Sequence, residues 1–118
     1  MFFCCWPCQS SENLFEEGNN RLSKVGIAVF TFNDKTSDSA ERKNFNQNAR
    51  ILIKALKLLK AAADKNHIQA RAVFGKNVQV KNEPLAKLIC KVFKDSLESQ
   101  QGSFVEQARL LGNRYSVV

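Results

Sequence analysis

The residues best suited to chemistry crowd the start of the chain, where FFCCWPC sets Cys4, Cys5 and Cys8 among Phe2, Phe3 and Trp6. Cys5-Trp6-Pro7-Cys8 has the C-x-x-C spacing of dithiol oxidoreductases, whose attacking thiol is activated at a helix N-terminus that follows a strand of a βαβ unit. Only four residues precede Cys5 here and no βαβ pattern follows, so a redox enzyme is not expected. A zinc site would combine Cys5 and Cys8 with His67 or Cys90, but structural zinc sites take two close-spaced pairs and the second pair is lacking. His67, the one histidine, reads as a plain polar residue. Cys90, set among Leu88, Ile89 and Val92, reads as a small buried hydrophobe. No metal or cofactor is expected.

Two readings of the opening cysteines remain. The terminus is either a loose segment that packs Phe2, Phe3 and Trp6 onto the fold, or a lipid anchor acylated at Cys4, Cys5 and Cys8. Two or more acyl chains are what stable membrane attachment requires. Phe2 stands where N-myristoylation needs glycine, which removes that modification. The first basic residue is Arg21 and no stretch approaches the roughly 18 apolar residues of a membrane helix. A cytoplasmic protein with free thiols is therefore expected, membrane-associated only if the cysteines are acylated.

No paired-carboxylate motif, glycine-rich phosphate loop or nucleophile elbow accompanies the single histidine, so no enzyme is expected. The charge pattern is more informative. Of the net +7, residues 42–94 hold thirteen Lys and Arg against two Asp and Glu, whereas both flanks are slightly acidic. A basic centre suits an acidic protein, nucleic acid or an anionic membrane, and equally a solvated lysine face.

The elements that position these charges read as helices. Only five glycines and two prolines in 118 residues disfavour a turn-rich β-protein. Leu14, Leu22, Val25, Val29 and Phe32 trace one helical stripe from about Ser11 to Phe32, although the β-branched run from Val25 to Phe32 also reads as a strand. Asp38 and Glu41 form a capping pair, after which Phe45, Ala49, Leu52, Leu56, Leu59 and Ala63 repeat at alternating fours and threes. From Asp38 to Lys65 that helix would be roughly 42 Å long, which calls for long neighbours or a second copy. Residues 67–82 read as a helical turn followed by a loop. Asn82 and Pro84 open a further helix ending near Gly102, and Ser103 with Glu106 open a last one that Gly112 stops. The expected fold is all-α: an elongated up-and-down bundle of about four helices over residues 11–112, with a flexible segment 1–10 and a tail 113–118.

Projection at 100° per residue sets Lys43, Arg50, Lys54 and Lys57 on one stripe opposite the leucines, with Lys60 at its margin and Ile53 between Lys57 and Lys60. An isoleucine ringed by basic stems would anchor an acidic protein partner that the lysines steer. Nucleic acid is less favoured, because residues 42–94 use ten lysines to three arginines and show no exposed aromatic platform. The ending Ser116-Val117-Val118 also has the S-x-V form that β-augmenting domains capture.

The opening MFFCCWPC, the Asn- and Lys-rich body and the small helical design resemble a translocated effector of an intracellular bacterial pathogen. In size and organisation the chain is similar to small helical regulators that inhibit sibling effectors acting on ubiquitin as deamidases or transglutaminases. The resemblance spans the chain, has no diagnostic motif and assigns no residue. It implies a non-enzymatic inhibitor in the host cell cytosol that docks on such an enzyme and obstructs access of its substrate.

Overall fold

A computed structural model describes residues 10–98 and 100–116. The opening cysteines Cys4, Cys5 and Cys8 therefore lie outside the described residues, as do Val117 and Val118 of the S-x-V ending. Among the described residues there is no strand; the elements are α1 (Ser11–Leu22), α2 (Ala28–Thr31), α3 (Ser39–Asp64), α4 (Ile68–Asn77), α5 (Glu83–Val92), a 3₁₀ turn (Lys94–Ser96) and α6 (Phe104–Ser116). The all-α expectation holds, with six helices where four were expected.

α3 is the hub, and its start follows the sequence closely. The Asp38 carboxylate accepts from the Glu41 amide at 2.8 Å while the Glu41 side chain accepts from the Asp38 amide at 3.0 Å, a reciprocal capping box. Over 26 residues, about 39 Å, its apolar side packs against α1, α2, α4 and α5. Leu52, Leu56 and Leu59 are fully buried, each worth about 1.5–3 kcal/mol of hydrophobic stabilisation. Because several shorter helices of the same chain cover that side, the length of α3 does not itself require a second copy.

The first stripe divides in two. Leu14 and Val29 are buried as the periodicity demands, but the chain leaves the helix after Leu22 and turns through 23–27. Gly26 favours the break, and its amide donates to a side chain, the Asn48 oxygen on α3, at 2.6 Å. Asn82 then couples α2 to α5: its oxygen caps α5 by accepting from Leu85 N at 2.8 Å, and its amide donates to the Val29 carbonyl at 2.8 Å.

Three boundaries differ from the sequence reading. Residues 68–77 form a full helix, capped by His67, whose Nδ1 accepts from the Ala70 amide at 3.1 Å. α5 ends at Val92, and Phe93 turns the chain into the 3₁₀ turn well before Gly102. α6 runs straight through Gly112 to Ser116, so residues 113–116 belong to the folded domain and Tyr115 sits in its core. Gly112 is used for close approach: a Cβ there would lie 2.5 Å from the Gly75 carbonyl oxygen on α4. Two glycines let α4 and α6 meet almost backbone to backbone. Phe74 fills the space beside them, edge-on to Phe93 at 5.4 Å and to Tyr115 at 4.8 Å.

A candidate binding face on the long helix

α3 has one side that no other described element covers. Lys43, Arg50, Lys54 and Lys57 are exposed along it, within an arc of about 60° and over about 21 Å of helix axis. No acidic residue occurs between Glu41 and Asp64 in the sequence, and none of these four cations has a carboxylate partner among the described residues. Like charges at i, i+3 and i, i+4 weaken a helix by about 0.2–0.5 kcal/mol per pair. The stripe is thus a local destabilisation that core burial outweighs, and it lowers the free energy of whatever anion covers it.

Two of the expected contact residues behave differently. Ile53 is only 8% exposed and belongs to the core. The apolar arc of α3 is wider than half its circumference because helices flank it on both sides, and Ile53 lies at one edge of that arc. It cannot act as an exposed anchor, so the face has a cationic surface without an apolar centre. Lys60 is half-buried, and its ammonium donates to Asp64 at 2.8 Å. Burial works against the charged form, but the hydrogen bond to Asp64 and the negative potential of Tyr115 and Asp64 outweigh it and hold the Lys60 pKa above its ordinary value. Lys60 is committed to the fold.

Near the N-terminal end of the stripe, Lys43 and Arg50 share a shallow groove of about 420 Å³ with Ser39, Asn46 and Gln47. Arg42 closes one end, held there by hydrogen bonds to the side chain and carbonyl of Asp34. Asn46 and Gln47 are exposed beside the cations, so the groove offers amide donors and acceptors together with positive charge. Sequence projection located the cations and passed over these two amides, which carry no charge to mark them.

The remaining chemical candidates are structural. The Tyr115 hydroxyl donates to Asp64 Oδ1 at 2.7 Å, and the ring lies under Arg71 at 5.0 Å and Arg114 at 5.5 Å. Burial, then the hydrogen bond to Asp64, raises the Tyr115 pKa against the opposing charge of Lys60. His67 is more than a plain polar residue. With Nδ1 accepting at the α4 cap, the proton belongs on Nε2, which donates to Glu12 Oε1 at 2.9 Å, and the ring stacks on Phe15 at 4.6 Å. Cys90 is buried and its thiol donates to the Phe104 carbonyl at 3.4 Å; burial, with a smaller effect from Glu83, raises its pKa. Neither His67 nor Cys90 is presented as a metal ligand, and among the described residues no group of three or more His, Cys, Asp or Glu could hold an ion. No described helix is long and apolar enough to cross a membrane.

The fold and this face together define an all-α domain with a cationic face on its longest helix. No protein-family model, curated protein or solved structure matches the chain.

Proposed function

We propose that the chain is a non-catalytic binding protein whose α3 face docks on an acidic surface of a partner protein. The observation that carries this reading is the uninterrupted exposed stripe of Lys43, Arg50, Lys54 and Lys57, unpaired within the described residues and maintained against its own repulsion. With Ile53 in the core, recognition rests on charge, so association is fast, salt-sensitive and dependent on the partner's acidity. Inhibition of a ubiquitin-modifying enzyme by blocking its substrate is the specific form the family resemblance implies. Adding the purified chain to ubiquitin deamidation and transglutamination assays tests that form directly.

A second reading, nucleic-acid binding, is favoured by one observation: Asn46, Gln47 and Arg50 line the same groove, and these are side chains that read base edges. The acylated-adapter reading rests on Cys4, Cys5 and Cys8. Capture from extracts of the native cells separates all three when run with wild type and with Arg50→Glu/Lys57→Glu. A dominant protein that survives nuclease treatment and is lost with the variant supports the first reading. Nuclease-sensitive recovery supports the second, and membrane recovery abolished by serine at the three cysteines supports the third.

A further inference from the structure

Away from α3, two clefts adjoin along the outer side of α5. The larger, about 840 Å³, has Phe30, Phe32 and Pro84 on its floor. The smaller, about 290 Å³, is floored by Cys90, Leu97 and Phe104. Lys87 lines both, so the two clefts neighbour each other at that side chain. No residue of the α3 stripe lines either.

The rims are cationic. Lys35 and Lys81 edge the larger cleft, Lys91 and Lys94 the smaller, and Lys87 stands between them; all five are exposed and none has a carboxylate partner among the described residues. Opposing them are only Asp34, which Arg42 already engages, and Glu83. The smaller cleft has no acidic residue at all. A pair of apolar floors inside a lysine rim selects a ligand with negative charge and two apolar groups.

Spacing narrows the ligand further. Pro84 and Cys90 are six residues apart on α5, about 9 Å along its axis. A polyproline-type extended peptide repeats its face every three residues, also about 9 Å. We infer that this double cleft binds an acidic linear peptide in extended conformation, with apolar side chains three residues apart, one entering each floor. The site is independent of the α3 face and adds a second docking mode to the molecule.

The test is fluorescence anisotropy with a labelled glutamate-rich peptide carrying two leucines three residues apart. Saturable binding is expected, weakened about tenfold by leucine-to-serine changes in the probe and to a similar degree by Lys87→Glu. Phe104→Ser should weaken it too. Both protein positions are exposed, and unchanged thermal unfolding confirms that each variant folds; Lys87→Glu alone decides the matter if Phe104→Ser does not. Arg50→Glu/Lys57→Glu should leave the dependence of binding on the two leucines and on Lys87 intact, which separates this site from any charge-only contact with the α3 face. Failure of the peptide to bind, or equal binding to Lys87→Glu, overturns the inference. So does sedimentation with phosphatidylserine vesicles, lost in Lys87→Glu, in a protein that ignores the peptide, because the clefts would then serve a membrane surface.

Discussion

Gly75 on α4 and Gly112 on α6 oppose each other so closely that a Cβ on Gly75 would lie 2.7 Å from the Gly112 carbonyl oxygen. Backbone atoms cannot yield as a flexible side chain can, so this contact fixes how near the two helices come. It also brings Tyr115, one turn beyond Gly112, over Phe74 and within reach of Asp64.

Exchanging glycine for alanine inside a helix normally stabilises by about 1 kcal/mol. Gly112→Ala should reverse that sign and destabilise by about 1–3 kcal/mol, the usual penalty of overpacking. Urea denaturation measures it, and a gain in stability would show that α4 and α6 are not held at this distance.

The Lys60–Asp64–Tyr115 cluster predicts an alkaline weakness. The folded-state pKa values of Lys60 and Tyr115 are both raised, so the folded chain holds these protons more tightly than the unfolded one. Their contribution is complete below the unfolded values, near pH 10, and is lost as pH rises through the folded values. Cys90 shifts in the same direction. Urea midpoints should therefore fall on passing from pH 8 to above about pH 10, and Asp64→Asn should flatten the decline.

His67 makes two separable contributions, the α4 cap and the bridge to Glu12. His67→Asn keeps a good capping side chain and gives up the bridge, whereas His67→Ala loses both. The alanine variant should be less stable than the asparagine variant by about 1 kcal/mol, as read from thermal or denaturant unfolding.

Cys90 should be inert in the native state, since it is 4% exposed, hydrogen-bonded and raised in pKa. In a chain with serine at positions 4, 5 and 8, an aromatic disulfide reagent should label Cys90 at the rate of unfolding. Immediate labelling would place the thiol at the surface.

How much of this was legible in the sequence depends on where the information lies. The core side of α3 could be read because Leu52, Leu56 and Leu59 repeat within one helix and its capping box is local. α4 was hidden: histidine is an unusual cap, and the buried side of Ala70, Phe74 and Gly75 is too sparse to show a period. Gly112 reads as a stop because the reason for a glycine there is Gly75, far away in sequence. Ile53 was misplaced for a related cause, since a single-helix projection cannot know that neighbours cover both flanks of α3. The exposed cations were found because charge needs no partner to be recognised. What they bind is not legible, because charge alone names no partner.

If the α3 stripe serves binding at the expense of helix stability, as proposed, Arg50→Glu should move the two properties in opposite directions. That change puts a glutamate four residues ahead of Lys54, the favourable order for a helical ion pair. Measured side by side on the partner recovered by capture, the variant should gain about 0.2–0.5 kcal/mol in unfolding free energy and lose about tenfold or more in affinity at low salt. Unchanged affinity with the expected gain in stability would leave the stripe as a solvated surface with no docking role.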